Sequence, residues 1–165
     1  MASPAPASIA PGPIAPADLA GLPGLALMQG MFDGRYPPPP ISQLMAMHGN
    51  AAGEGWVSFI GHPGPEHYNP IGSVHGGYAA TLLDSCMGCA VHTTLAAGIG
   101  YTTIDLNITY IRGMTAETGA VTARGEVISS GRRVATARGT LTDAKGRVLA
   151  TGTTTCLIFP LEPPK

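Results

Sequence analysis

Residues 69–84 have the sequence Asn69-Pro-Ile-Gly-Ser-Val-His-Gly-Gly-Tyr-Ala-Ala-Thr-Leu-Leu-Asp84, which combines a turn, a glycine pair and the start of an apolar helix. The Asn69-Pro70 pair predicts a turn, because the residue before a proline is pushed out of the helical region. From Tyr78 to about Ala97 the chain contains no proline, and its one internal glycine is Gly88. We therefore predict a long helix here, with Ala97-Gly-Ile-Gly100 as its end.

The predicted helix has one broad apolar face. At ~100° per residue, that face collects Ala79, Ala80, Leu82, Leu83, Cys86, Met87, Cys89, Ala90 and Val91. The opposite face carries Thr81, Ser85, Gly88 and His92. A helix this apolar is mostly buried, so Asp84, at the margin of the two faces, is a candidate functional carboxylate. The alternative role for Asp84 is structural, capping a neighbouring backbone.

The start of the same helix offers a second candidate group. Its first backbone N–H groups have no partner within the helix and lie at the positive end of the helix dipole. Gly76 or Gly77 could thus bring an N–H to a developing oxyanion. Asp84 lies roughly 10–12 Å further along the axis, too far for one helix to place both groups on one carbonyl. A second, antiparallel copy could do so, which predicts a dimer with shared sites.

The rest of the chain predicts an α+β fold. Residues 1–17 are rich in Ala and Pro and are expected to be extended or disordered, and residues 18–32 are expected to form a short helix begun by Asp18. The secondary structure of residues 41–47 is ambiguous, and they could form a helical turn before a first strand.

Later strands are predicted at 54–60, 102–112, 120–128, 133–142 and 148–159. In the second of these, Thr103, Asp105, Asn107 and Thr109 alternate with apolar residues, which predicts one buried face. Strands in succession after one helix favour an antiparallel sheet.

Composition limits the classes of function. The 165 residues suit one domain, and a net charge of −1 gives no reason to expect nucleic acid as a partner. Seven of the nine basic residues lie between Arg112 and Arg147, which fits either an anionic ligand or an ordinary solvated strand surface.

The two cysteines of the Cys86-x-x-Cys89 motif lie on the apolar face of the predicted helix, and we expect them to be buried thiols rather than a metal or redox motif. An odd cysteine count fits a reducing cytoplasm. The sequence shows neither a membrane span nor a secretory signal.

The spaced motif Asn-x-x-Gly-x-x-His-Gly-Gly, with Asp84 nine residues after His75, resembles the hotdog-fold acyl-CoA thioesterases of the phenylacetate-pathway (PaaI-like) type. Thr102–Arg112 and the Gly-Arg-Arg-Val-Ala-Thr-Ala-Arg run from Gly131 also match, so the resemblance covers roughly residues 45 to 158. It implies a curved antiparallel sheet wrapped around the helix, and a dimer-of-dimers tetramer. We accordingly divide the chain into 1–44, a hotdog domain at 45–160, and a tail at 161–165.

The resemblance also implies roles for particular residues. Asp84 would be the catalytic carboxylate, as general base or as nucleophile, and the Gly76 N–H would polarise the thioester carbonyl. His75 would order the loop, position substrate or transfer a proton, and Asn69 would orient the loop or a water. Thr103, or the adjacent Thr102, would hold the water or the carboxylate. The candidates for coenzyme A binding are Tyr110, Arg112, Gly131 and Arg132.

These observations predict an acyl-CoA thioesterase that needs no cofactor, because a thioester is already activated. The histidines lack metal-ligand spacing, so no metal site is predicted. Two alternatives stay open: an enoyl-thioester hydratase on the same fold, and a non-catalytic acyl-CoA-binding or sensing protein. The acyl group is open between aromatic and aliphatic chains.

Overall fold

The computed structural model describes residues 9–161, which fold as an antiparallel sheet with a long helix packed on one face. The helices are α1 (Pro16–Gly21), α2 (Gly24–Phe32), α3 (Pro40–Leu44) and α4 (Gly76–His92). The strands are β1 (Met47–Gly53), β2 (Trp56–Gly61), β3 (Ile99–Tyr110), β4 (Val121–Ser130), β5 (Val134–Asp143) and β6 (Val148–Pro160). Their order is β1-β2-β4-β5-β6-β3, and every neighbouring pair is antiparallel. The predicted α+β class is confirmed.

Helix α4 ends at His92, so the prediction that it continues to Ala97 is wrong. The hydroxyls of Thr93 and Thr94 donate to the backbone oxygens of Ala90 and Val91, which offers the chain an alternative to helical hydrogen bonding. Thr93 also accepts a hydrogen bond from the Gly55 amide at 2.8 Å. The end of the helix is thereby fixed to the β1–β2 turn.

The predicted apolar face of α4 is the face that packs on the sheet, and Leu82, Leu83, Cys86, Met87, Ala90 and Val91 have no exposed surface. Gly88 is also buried, although the helical pattern places it opposite. The reason is Tyr101 of β3, whose ring lies so close that a Cβ on Gly88 would be 2.8 Å from it.

In the first half of the chain, the observed elements differ from the predicted ones at two points, one at a proline and one at a glycine. The helix expected from Asp18 is divided into α1 and α2, because Pro23 caps a new helix, and Asp18 lies inside α1 rather than at its cap. Strand β2 begins at Trp56 rather than Glu54, since Gly55 (φ 77°) belongs to the hairpin turn. The ambiguous residues before β1 form α3.

Strand β3 lies at one edge of the sheet and contains a bulge between Thr103 and Asp105. A bulge adds an unpaired residue and shifts the side-chain alternation. Ile104 is consequently 59% exposed, whereas Thr103 faces α4, so the uninterrupted alternation predicted for this strand is wrong.

The predicted tails lie partly outside the described residues, at 1–8 and 162–165. Within residues 9–161, no helix is both long enough and apolar enough to span a membrane.

Candidate active site

Asp84 and Thr103 form the centre of the candidate site. The half-buried Asp84 carboxylate accepts a hydrogen bond at 2.9 Å from the Thr103 hydroxyl, which crosses from the edge strand to the helix. Thr102 is exposed on the other side of the strand. Of the two threonines that the sequence left open, the structure therefore brings Thr103 to the carboxylate.

Both side chains line a cavity of about 490 Å³. Its lining exposes mainly apolar surface, supplied by α2, by the segment that follows α2, and by strands β1 and β2. The apolar lining residues include Met28, Met31, Phe32, Ile41, Met47 and Phe59. Sequence reasoning missed this wall because the residues lie far from Asp84 in the chain and carry no motif.

The groups beside Asp84 are held neutral by burial. Burial raises the pKa of the Cys89 thiol to about 11 and raises the pKa of the Tyr101 phenol well above its usual range. The pKa values of the Cys86 and Cys156 thiols are raised by burial too. The cysteines are free thiols, and at neutral pH they stay protonated and poorly nucleophilic.

Gly76 begins α4 and lies in a second depression of about 270 Å³, together with Tyr110 and Arg112. The Tyr110 hydroxyl donates to the Gly76 carbonyl oxygen at 3.1 Å. His75 caps the helix, and its Nδ1 accepts from the Gly77 amide at 2.8 Å. No hydrogen bond from the Gly76 amide to another residue of the range 9–161 is present, so this N–H is available to a ligand.

Asn69 orders the loop that leads into α4. Its side-chain oxygen accepts from the amides of Ile71 and Ser73 at 3.1 and 3.2 Å, and its amide nitrogen donates to the Ser73 hydroxyl at 3.0 Å. These bonds occupy both ends of the Asn69 side chain within its own loop. Of the two roles predicted for Asn69, this geometry favours loop ordering.

Gly131 and Arg132 line a third depression, of about 610 Å³, beside Thr94 and Leu95 at the opposite end of α4. The four candidates for coenzyme A binding thus fall into two groups within one protomer. Tyr110 and Arg112 lie beside Gly76, whereas Gly131 and Arg132 lie at the other end of α4. Asp84 and Gly76 likewise line different cavities. Over the part of the chain described, no cluster of potential metal-ligating side chains is found.

Comparison with known proteins gives the class of this fold and site. A family model described as the thioesterase superfamily matches residues 71–150. A solved protein of the thioesterase superfamily is 31% identical, with a TM-score of 0.67, and the match covers 81% of this chain and 97% of that chain. The chain belongs to the thioesterase superfamily, and its hotdog fold is confirmed.

The resemblance to PaaI-like thioesterases is confirmed as well. A protein of Ralstonia eutropha JMP134, described as related to phenylacetic acid degradation, is 27% identical, with a TM-score of 0.72, over 79% of this chain and 98% of that one. Human acyl-coenzyme A thioesterase 13 is 36% identical over 89 residues, which cover 53% of this chain and 61% of the human protein. A curated protein of Halobacterium salinarum is matched over 34% of its length. The chain thus spans only part of its curated relatives.

Proposed function

We propose that this protein is an acyl-CoA thioesterase, which hydrolyses a thioester to a free acid and coenzyme A. The observation that carries the proposal is the Asp84–Thr103 pair, a carboxylate held at 2.9 Å by a hydroxyl on the wall of an apolar cavity. Membership of the thioesterase superfamily and the similarity to human acyl-coenzyme A thioesterase 13 support it.

In the proposed reaction, the Gly76 N–H binds the thioester oxygen as negative charge develops on it. Asp84 acts as a general base that takes a proton from water, or as a nucleophile. As a nucleophile it would displace the coenzyme A thiolate to form an acyl-enzyme anhydride, which water then hydrolyses to the free acid and the Asp84 carboxylate. As a general base it would activate water to attack the carbonyl carbon; the carbon–sulfur bond then breaks, and Asp84 passes the proton to the departing coenzyme A thiolate. Thr103 orients the carboxylate for either role.

We further propose that the site is shared between two protomers. Asp84 lies eight positions after Gly76 on one helix, a separation of roughly 12 Å at 1.5 Å per residue. We expect two protomers to meet at the unpaired edge of β3, where Ile104, Tyr110 and Ile111, the residue after the strand, are more than half exposed. Two such dimers would form the tetramer implied by the resemblance.

Coenzyme A would then extend from the Gly76 end of one protomer. Tyr110 and Arg112 flank Gly76 and could contact the pantetheine arm and a phosphate, for which a guanidinium group is well suited. Gly131 and Arg132 would contribute from a hairpin, and His75 and Asn69 would hold the loop that presents Gly76. We place the protein in the cytoplasm and its hotdog domain at residues 45–160.

The test is release of free coenzyme A thiol from a panel of acyl-CoAs. Replacing Asp84 with Asn keeps the size and removes the base or nucleophile, so we expect turnover to fall about 10²–10⁴-fold. Asp18→Asn, at an exposed carboxylate in α1, is the matched control and should leave turnover unchanged. Full turnover by Asp84→Asn would refute the role of this carboxylate. Binding of acyl-CoA without any turnover by the wild type would favour a sensor.

A further inference from the structure

We propose that the segment from α2 to α3, residues 24–44, selects the acyl group, and that it admits uncharged apolar acyl chains and rejects acyl groups that end in a carboxylate. This inference rests on the proposed function and names its substrate class. The segment precedes residues 71–150, the range that the superfamily model matches.

The first observation is that the segment is built onto the Asp84 cavity by close packing. The Phe32 ring lies on Gly49 of β1, where a Cβ would be only about 2.0 Å from it, and meets Phe59 edge-on at 5.5 Å. The Tyr36 ring covers Gly30 of α2 in the same way, at 2.5 Å. Both rings line the cavity. The wall is therefore fixed in place, as a surface that discriminates between substrates must be.

The second observation concerns the chemistry of the lining. Met28, Met31 and Phe32 of α2 face the cavity beside Asp84, and thioether and aromatic side chains adapt well to apolar ligands. A volume of about 490 Å³ falls within the range of small-molecule sites. An apolar acyl chain would leave water on entering it, which favours binding.

The third observation is the sign of the charges. The described lining residues include the carboxylates of Asp84 and Asp33 and the imidazole of His48, but no lysine or arginine. Asp33 is already paired with Arg35 at 2.8 Å on the surface, whereas Asp84 has only the neutral Thr103 hydroxyl. A terminal carboxylate on the acyl chain would lose its hydration and meet a like charge, and the described lining offers it no lysine or arginine as a partner.

The experiment compares butanoyl-CoA with succinyl-CoA, since both acyl groups have four carbons and differ in the terminal carboxylate. We expect kcat/KM for succinyl-CoA to be at least tenfold lower. Across acetyl-, butanoyl- and hexanoyl-CoA, kcat/KM should rise by up to about fourfold per CH₂, the factor that corresponds to ~0.8 kcal/mol. Equal turnover of the two four-carbon substrates would overturn the inference and leave the thioesterase activity standing.

Two methionine variants test whether the cavity wall formed by residues 24–44 selects the acyl chain. Met31→Ala removes apolar surface from the cavity and should lower kcat/KM for hexanoyl-CoA about fourfold or more, through KM, while acetyl-CoA is little affected. Met45→Ala is the matched control, because Met45 is partly buried against the core but does not line the cavity. An unchanged chain-length preference in Met31→Ala would overturn the assignment.

A binding measurement separates the inference from the proposed function. Titration calorimetry with S-butyl-CoA and S-(3-carboxypropyl)-CoA uses thioethers that cannot be hydrolysed. The wild type should bind the first at least tenfold more tightly. If no acyl-CoA is turned over, the proposed function fails, and this pair alone decides the inference: a clear preference for S-butyl-CoA supports it, and equal affinities refute it.

Discussion

The Thr103 hydroxyl, a neutral group, holds the Asp84 carboxylate through a hydrogen bond of 2.9 Å. Burial holds the Cys89 thiol and the Tyr101 phenol in their neutral forms, and their side chains line the same cavity. A single hydrogen bond from a neutral hydroxyl orients a carboxylate without neutralising it, unlike a lysine or an arginine. The carboxylate is therefore held in position without forming an ion pair.

The Gly76 amide can be tested by removing its hydrogen. Gly76 is the first residue of α4, a position where proline is well tolerated, and His75 before it is already extended (ψ 138°). Gly76→Pro should therefore preserve the helix and abolish the N–H donor. We expect kcat to fall about 10²–10³-fold, the usual effect of losing an oxyanion donor, as measured by thiol release at saturating substrate.

Gly76→Ala is the matched control, because it adds a Cβ and retains the N–H. That Cβ would lie 3.1 Å from the Tyr110 ring, so a small shift of the ring is expected in both variants. If Gly76→Ala loses as much activity as Gly76→Pro, the effect comes from crowding of Tyr110, and the oxyanion role is refuted.

At the scale of elements, a row of glycines lets α4 lie close to the sheet. Gly125, Gly139 and Gly152 are aligned across β4, β5 and β6. A Cβ on Gly125 would be 2.3 Å from the Cys86 carbonyl oxygen, and one on Gly139 would be 2.9 Å from the Met87 side chain. The row forms a groove for the helix, and the depth of that groove sets where Asp84 lies relative to β3.

Gly125→Ala should lower the free energy of unfolding. The added methyl group meets helix backbone, which cannot rotate away, so α4 must move outward, and overpacking of this kind typically destabilises by about 1–3 kcal/mol. Urea denaturation followed by circular dichroism measures the change. Gly113→Ala is the control: nothing lies within 4 Å of the added Cβ, and an effect beyond about 0.5 kcal/mol there is not expected. Equal stabilities of the two variants would show that the groove can accommodate the added methyl group without strain.

The sequence predicts those elements whose signal is local. The antiparallel strands β4, β5 and β6 follow from alternation and from turn residues, and the start of α4 follows from its glycine pair. The bulge at Ile104 could not be predicted, because it depends on how β3 pairs with β6, which is set by distant residues. The glycine row was missed for the same reason: its members are separated in sequence and adjacent only in the sheet. The early end of α4 depends on Thr93 reaching Gly55.

The same limit applies to the candidate site as a whole. The motif identified Asp84 and Gly76, and its spacing along one helix already predicted that the two could not meet in one protomer. The apolar wall from α2 and the separation of Arg112 from Arg132 needed coordinates, because both depend on which surfaces the fold brings together. The residues proposed to carry the chemistry were thus found by motif, whereas the residues proposed to select the acyl chain were not.

The proposed sharing of the site between two protomers predicts complementation between two inactive variants. In a mixed dimer of Gly76→Pro and Asp84→Asn protomers, one site receives both lesions, and the other combines an intact Gly76 amide with an intact Asp84 carboxylate. Mixed dimers, isolated through two different affinity tags after co-expression and shown by gel filtration not to be tetramers of two parental dimers, should show roughly half of the wild-type activity per dimer. If both groups instead act within one protomer, every site has one lesion, and the mixed dimers will be as inactive as their parents. Gel filtration of each parent, expected at the wild-type elution volume, ensures that a lack of activity reflects the site rather than failed assembly.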